Sequence, residues 1–156
     1  MHLDREHPSN QKVIEYLCRN ADGWTGPLLE PAQSLRGSKS RPGSHPDIVE
    51  HLWESLAPRL PAECRALVCG SPALVAPTRG VIFAVPLGTE YGLRLPPAEF
   101  ALARAAGAEV VHYYRTAGVT LDLTASLGPH WIFGTFDQRE PEWCTAALDF
   151  AGGAVS

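Results

Sequence analysis

Residues 80–95 decide the fold, and they read Gly80-Val-Ile-Phe-Ala-Val-Pro-Leu-Gly-Thr-Glu-Tyr-Gly-Leu-Arg-Leu95. Two strand-length runs of mostly apolar residues flank a Pro-Leu-Gly-Thr break at residues 86–89. Runs of β-branched and aromatic residues joined by a short gap of this kind are typical of an antiparallel hairpin. In the second run apolar side chains alternate with Gly92 and Arg94, which predicts a strand with two different faces.

A second hairpin is predicted from residues 109–114 and 118–124, and apolar and polar side chains alternate in the second of these segments. Helices are predicted at residues 9–20 and 44–57, after Pro97, and near the C-terminal end of the chain. Because the strands come in hairpins, the connections are too short for parallel crossovers. The sequence therefore predicts an α+β fold with a single antiparallel sheet of about five strands and helices packed on one face.

The chain has 156 residues, a length that suits one core-forming domain. Residues 1–43 are interpreted as an N-terminal helix followed by a connection rich in Pro, Gly and Ser. Residues 44–152 are predicted to form the α+β domain, and residues 153–156 a frayed tail. The role of the first 43 residues is left open at this stage.

The net charge of −4 disfavours nucleic acid as a partner, because it removes the basic field on which non-specific binding depends. A local basic cluster of Arg36, Lys39 and Arg41 is interpreted as part of a solvated linker. No apolar run approaches the roughly 20 residues that span a bilayer, so no membrane partner is expected. The N-terminus lacks the apolar core of a secretory signal, and the predicted location is cytoplasmic.

The four cysteines, Cys18, Cys64, Cys69 and Cys144, show no paired short spacing of the kind that binds zinc. Each is therefore predicted to be a buried, reduced thiol. Glycine-rich phosphate loops, zinc-peptidase motifs and calcium-loop patterns are also missing from the sequence. No metal site, no catalytic residue set and no cofactor is predicted.

Five residues are predicted to bind a ligand: Arg94, His112, Asp122, His130 and Trp131. Cross-strand pairing of His112 with Asp122 would bring an imidazole next to a carboxylate, an arrangement that orients a general base. The alternative is a solvated pair on the wet face of the sheet. Whether the two side chains face a pocket or bulk solvent is left open.

The other three candidates also have two readings each. His130 and Trp131 lie in a loop that either forms the mouth of a ligand pocket or is anchored to the core by the indole. Arg94 either binds an anionic group through its planar guanidinium or pairs with an acid and protects a sheet edge.

The middle of the chain resembles the small α+β domains of the TfoX N-terminal and YjbR-like families. The resemblance covers residues 66–150 and is carried by a Trp-bearing terminal helix and by three segments: Cys69-Gly70-Ser71-Pro72-Ala73-Leu74, Gly80-Val81-Ile82-Phe83-Ala84 and Tyr91-Gly92-Leu93-Arg94-Leu95. It implies a small single-sheet domain with a regulatory or binding role, and no catalytic residues to carry over.

The function favoured by the sequence is a non-enzymatic binding or regulatory module. It would recognise a protein partner or small ligand through the sheet face and the flanking loops at residues 24–43 and 126–131. The alternative is a small hydrolase-like enzyme that uses His112, Asp122 and His130 with water or a metal. A homodimer built by pairing an exposed sheet edge is a third hypothesis. The identity of the ligand and the oligomeric state are open.

Overall fold

A computed structural model describes residues 2–19, 25–31, 60–87, 90–115, 118–134 and 140–153. The helices and strands of this part of the chain are, in order, α1 (Pro8–Arg19), β1 (Leu29–Pro31), a 3₁₀ turn (Ala62–Cys64), β2 (Arg65–Val68), β3 (Ser71–Ala76), β4 (Val81–Leu87), β5 (Glu90–Arg94), α2 (Pro97–Ala105), β6 (Val111–Tyr114), β7 (Val119–Asp122), α3 (Leu123–Ser126), β8 (Trp131–Phe133) and α4 (Glu140–Ala151). The predicted helix at residues 44–57 and the basic residues Arg36, Lys39 and Arg41 lie outside the described residues.

The predicted α+β fold with an antiparallel main sheet is confirmed. Six strands form this sheet in the order β1-β2-β3-β4-β5-β8, and every neighbouring pair is antiparallel. The second hairpin, β6–β7, is confirmed as a hairpin but forms a separate two-stranded sheet. It is tied to the main body by backbone hydrogen bonds, including one from Phe133 N to Glu109 O of 2.9 Å.

A two-residue hairpin between β2 and β3 was not predicted. Val68 faces Ser71 across the turn, and the two residues between them, Cys69 and Gly70, have φ angles of 47° and 73°. Positive φ at both central positions matches a type I′ turn, whose twist suits adjacent antiparallel strands. Ser71, interpreted from the sequence as a turn residue, therefore begins a strand and is buried.

Helices cover both faces of the main sheet, so the prediction of helices on one face is wrong. One face packs against α4 through a core that includes Leu74, Phe83, Tyr91, Leu93 and Trp143, here called the α4-side core. The other face packs against α1 through the α1-side core, which includes Val13, Val75, Ile82, Leu87 and Trp131. Strands β3 and β4 are buried along their whole length, because they supply side chains to both cores.

An irregularity in β4 fits this double burial. Leu74 pairs with Ala84 and Val75 pairs with Ile82, which leaves Phe83 as an extra residue on β4. Phe83 and Ala84 both belong to the α4-side core, as expected when a β-bulge interrupts the alternation of side chains. The bulge lets a nearly all-apolar strand fill both cores.

The N-terminal elements are part of the same sheet domain, which differs from the predicted boundary at residue 43. Strand β1 pairs with β2, and Val13 and Leu17 of α1 are buried in the α1-side core. Asn10, which is fully buried, joins α1 to the turn between β3 and β4. Its Nδ2 donates to Asp4 O at 2.6 Å and Gly80 O at 2.7 Å, and its Oδ1 accepts from Ile82 N at 2.9 Å.

The prediction of four reduced thiols is wrong for two of them. Cys18 at the end of α1 and Cys69 in the β2–β3 turn form a disulfide bond with a Cα–Cα distance of 5.4 Å. They are 51 residues apart in sequence, so their spacing gave no pairing signal. Cys64 and Cys144 are free and buried, and burial, with a smaller effect of Glu63, raises the pKa of Cys64 to about 11.

Within the described ranges, no helix has the length and apolar character needed to cross a membrane.

Candidate functional site

Strand β5 points its polar residues to the α1 side of the sheet. Tyr91 and Leu93 belong to the α4-side core, so Glu90, Gly92 and Arg94 face the other way. A Cβ placed on Gly92 would lie 2.8 Å from Leu87 Cδ1 and 3.4 Å from Trp131 Cε3, which confirms that orientation. Glu90 and Arg94 are therefore roughly 13 Å apart on one face, with the glycine between them.

A pocket of about 300 Å³ opens at the Arg94 end of β5. It lies between the start of α1, Arg94 and the residues that precede and begin β8. Cationic or protonatable groups on its wall are Arg94, Lys12 and His7, and its apolar wall consists of Pro8, Leu127, Pro129 and Trp131. Pockets of this size with a few polar groups on an apolar lining are typical of small-molecule sites.

Arg94 is half-buried and its guanidinium carbon lies 4.3 Å from the centroid of the Phe150 ring. No carboxylate of the described residues lies within 4.0 Å of it, so the reading in which Arg94 pairs with an acid finds no partner there. Burial, and secondly the charge of Arg79, lowers the pKa of Arg94 from its ordinary value. Arg79 is thus near enough for the two guanidinium groups to repel each other, and Arg94 has no carboxylate partner among the described residues to offset this repulsion.

Two histidines beside this pair are held in the neutral form. Burial, followed by the charges of Arg79 and Arg94, lowers the pKa of His7, while Asp4 opposes the shift. Burial and then Arg94 lower the pKa of His130. Each imidazole therefore carries little charge at neutral pH, although an anion placed beside the arginines would favour its protonation.

The loop that precedes β8 lines the pocket through Gly128, Pro129 and Trp131, and its indole is also anchored in the core. Trp131 is 1% exposed, and its Nε1 is buried and has no hydrogen-bond acceptor among the described residues. His130 has a φ of 71°, and its ring packs edge-to-face against Phe100 and Phe150 at centroid distances of 5.5 and 6.3 Å. A buried indole N–H without an acceptor is costly, and a ligand acceptor would satisfy it.

A second group of polar side chains lies at the Glu90 end of the strand. His112 Nδ1 is 3.2 Å from Glu109 Oε2 and 3.8 Å from Glu90 Oε1. Burial chiefly raises the pKa of Glu90, with opposition from His112 and a smaller contribution from Glu109. The ring of His112 packs against those of Tyr114 and Phe133, and Tyr114 Oη donates to Leu87 O at 3.1 Å. These contacts hold His112 in place.

The predicted pairing of His112 with Asp122 is wrong. His112 pairs with Leu121 and Asp122 with Val111, so the two side chains point to opposite faces of the ribbon. Asp122 instead caps α3, accepting from Thr124 N at 3.0 Å and Ala125 N at 3.4 Å. The one-residue difference in register separates the two groups.

The five predicted ligand residues thus divide into three groups. Arg94 and Trp131 line the pocket, and His130 lies within electrostatic reach of Arg94. His112 lies at the far end of β5, and Asp122 is a helix cap. Sequence reasoning missed His7 and Lys12, which lie on an N-terminal segment that was assigned to a separate region. Their only local signal was the helix start at residues 8–9, and that signal says nothing of a partner strand far along the chain.

The described residues contain no group of three His, Cys, Asp or Glu side chains arranged to hold a metal ion. What converges at the pocket is positive charge and apolar side chains, and this combination suits an anion that carries an apolar body. Searches against family models, curated proteins and solved structures find no match for the chain. The resemblance to the TfoX N-terminal and YjbR-like families stays a prediction.

Proposed function

We propose that this chain is a binding module for a small organic anion, whose phosphate, sulfate or carboxylate group pairs with Arg94. The observation that carries the proposal is the half-buried Arg94 guanidinium, which lines a pocket of about 300 Å³ and has no carboxylate partner among the described residues. A planar guanidinium offers two parallel N–H donors to an anionic group, and this geometry gives strong, oriented binding.

Local charge supports an anionic ligand. The chain as a whole has a net charge of −4, yet Arg79, Arg94, Lys12 and His7 collect at this one place. Like charges at short range raise the free energy of the unliganded protein, and a bound anion removes that repulsion. An anionic ligand would therefore explain why positive charge gathers here in a chain whose net charge is negative.

The apolar wall supports a ligand with a non-polar body. The exposed rings of Pro8 and Pro129 face the same cavity as the cationic groups, so a free inorganic ion would leave this surface in contact with water. Burying it adds about 25 cal/mol for each Å² of apolar area. Docking of a protein partner and pairing of two copies through a sheet edge both remain predictions. Among the described residues, no contact supports either of them in the way that the pocket supports anion binding.

The disulfide bears on the cellular compartment in which the protein works. Disulfides such as Cys18–Cys69 form and persist mainly in oxidising surroundings. The module is accordingly proposed to work where thiols are oxidised, and the cytoplasmic location inferred from the N-terminal sequence stays an untested alternative.

Replacing Arg94 tests the proposal directly. In Arg94→Met, we expect the affinity for phenyl phosphate, measured by titration calorimetry, to fall roughly 10- to 100-fold, since a charged hydrogen-bonded pair contributes about 1.5–3 kcal/mol. Methionine keeps much of the side chain's length and its apolar contact with Phe150. Arg115→Met, a matched change of an exposed arginine at the end of β6, should leave the affinity unchanged.

Two results would contradict the proposal. One is equal affinity of Arg94→Met and the unchanged protein, and the other is no binding of phenyl phosphate at concentrations of about 10 mM, where even a weak site is filled. Comparing phenyl phosphate with inorganic phosphate separates the contribution of the apolar wall from that of the charge.

Affinity for the anion should rise as the pH falls. The pKa values of His7 and His130 lie below their ordinary value in the free protein, and a bound anion favours their protonated forms. Binding is therefore coupled to proton uptake, and we expect roughly fivefold tighter binding at pH 5.5 than at pH 7.5 at low ionic strength. Sulfate is the probe, because its charge does not change over this range.

The matched pair for this test is His130→Gln and His112→Gln. The first removes a group beside Arg94 and should flatten the pH dependence. The second removes a histidine at the opposite end of β5 and should not. A pH dependence that is equally steep in both variants would show that other groups take up the proton.

A further inference from the structure

The pocket also contains a hydroxyl that is hydrogen-bonded to an imidazole. Ser9 Oγ lies 2.6 Å from His7 Nδ1, and both residues line the cavity that Arg94 lines. Serine is a weak nucleophile alone and becomes a useful one when an adjacent base accepts its proton. Neither residue was singled out as a chemical group by the sequence, since Ser9 was interpreted as the residue that begins a helix.

The imidazole of His7 is held in the tautomer that a base needs. Ser9 N–H donates to His7 Nδ1 at 3.2 Å, so Nδ1 is an acceptor and the ring hydrogen is on Nε2. Asp4 Oδ1 accepts from the backbone N–H groups of Glu6 and His7, both at 3.1 Å, and fixes the segment that carries the ring. The lone pair of Nδ1 is therefore shared between the backbone N–H and the hydroxyl of Ser9, and the hydroxyl is the nearer of the two.

The surroundings suit the charge that develops when a serine attacks an ester. The tetrahedral intermediate carries a negative oxygen, and hydrogen-bond donors or positive groups aimed at it lower the barrier. The candidate in the same pocket is the Lys12 ammonium. Arg94 is left to hold a separate anionic group of the substrate.

Resting on the proposed function, we infer that Ser9 and His7 form a nucleophile–base pair that cleaves a small ester bearing a separate anionic group. Ser9 Oγ forms a bond to the acyl carbon, and the bond from that carbon to the leaving oxygen breaks. The hydroxyl proton passes to His7 Nδ1 and then to the leaving oxygen. Water then releases the acyl group from Ser9 as a carboxylic acid, with the same imidazole taking and returning the proton.

Substrate charge would also improve the base. Burial, followed by the charges of Arg79 and Arg94, lowers the pKa of His7 in the free protein, which leaves it neutral and able to accept a proton. An anion bound to Arg94 offsets part of that positive field and moves the pKa back towards neutral pH. A general base is most effective when its pKa is near the working pH, so the anionic group both positions the ester and activates the imidazole.

The test uses the mono-4-nitrophenyl ester of terephthalic acid, whose carboxylate cannot reach its own ester carbon, with neutral 4-nitrophenyl benzoate for comparison. The unchanged protein is expected to release nitrophenolate and to gain the mass of one 4-carboxybenzoyl group, which peptide mapping locates on Ser9. Ser9→Ala should abolish the adduct, and His7→Asn should slow its formation roughly 100-fold, the usual contribution of a general base. Thr120→Ala, which removes an exposed hydroxyl on β7, should change nothing.

The His7→Asn variant separates chemistry from helix capping. Asparagine is among the best residues for beginning a helix, so this variant keeps an acceptor at the start of α1 without an imidazole base. Full activity of His7→Asn, the absence of any adduct in the unchanged protein, or an adduct located on Lys12 would each overturn the inference. In the first two cases the contact between Ser9 and His7 serves only to start the helix.

Failure of this inference can be told apart from failure of the proposed function. If Ser9→Ala and the unchanged protein bind phenyl phosphate equally well and neither is acylated, the binding module stands and the esterase inference fails. If Arg94→Met retains full phenyl phosphate affinity, the proposed function fails. If Arg94→Met is also acylated by the anionic ester as fast as the unchanged protein, the assignment of the anionic group to Arg94 fails as well.

Discussion

Asn10→Ala is expected to lower the free energy of unfolding by about 2–4 kcal/mol. The fully buried Asn10 amide makes hydrogen bonds to Asp4 O, Gly80 O and Ile82 N. Alanine would leave the Ile82 N–H without its acceptor in a buried part of the sheet, and an unsatisfied buried group costs about 1–3 kcal/mol. Urea unfolding followed by circular dichroism measures the change.

Two further variants make this result specific. Gln11→Ala removes an exposed amide one position further along the same helix and should change stability by less than about 0.5 kcal/mol. Asn10→Asp keeps the shape of the side chain and the oxygen that accepts from Ile82 N. It replaces the amide NH₂, which donates to the carbonyl oxygens of Asp4 and Gly80, with a carboxylate oxygen that can only accept. We expect it to destabilise the protein as much as alanine does. A loss no larger than that of Gln11→Ala would contradict the role given to Asn10.

Asn10→Ala should also weaken anion binding, because the residues on both sides of Asn10 line the pocket. His7 directly precedes α1, Ser9 and Lys12 are on its first turns, and Asn10 fixes these turns against the β3–β4 turn. A Cβ at Gly80 would lie 2.6 Å from His2 O and 2.7 Å from Asp4 N, so the N-terminal segment crosses that turn in close contact. The pocket wall is thus built from chain segments that only this packing brings together.

Reduction of the Cys18–Cys69 disulfide is expected to lower the free energy of unfolding by about 4 kcal/mol. The bond closes a loop with a sequence separation of 51 residues, and the chain-entropy relation gives about 3 kcal/mol for 15 residues and about 4.7 kcal/mol for 100. The measurement is urea unfolding with and without a phosphine reductant. Thiol titration of the unfolded, unreduced protein should find only Cys64 and Cys144.

The Cys18→Ser, Cys69→Ser double variant is the control for this prediction. Its stability should match that of the reduced protein and should not respond to the reductant. Phenyl phosphate affinity of the reduced protein should stay within about twofold of the oxidised protein, since the disulfide lies at the far end of α1 from the pocket and Asn10 holds the near end. Four free thiols in the unreduced protein would contradict the disulfide itself.

The candidate site was predicted in part because each of its strand residues had a local signal. Alternation along β5 predicted that Arg94 faces away from the apolar side chains of that strand. The loop at residues 128–131 was identified by its His and Trp. The pairing of His112 with Asp122 failed because a sequence pattern does not fix which residue faces which across a hairpin. His7, Ser9 and Lys12 were missed because their chemical setting comes from strands far along the chain.

The sequence by itself determined the β4–β5 and β6–β7 hairpins, most helix positions among the described residues and the α+β class, because periodicity and turn residues act over a few positions. Only the tertiary structure decided that α1 and α4 cover opposite faces of the sheet and that Cys18 meets Cys69. It also decided that Arg94 meets the start of α1. These contacts join residues remote in sequence, and they form because two apolar sheet faces must both be buried, a requirement that no short stretch of sequence expresses.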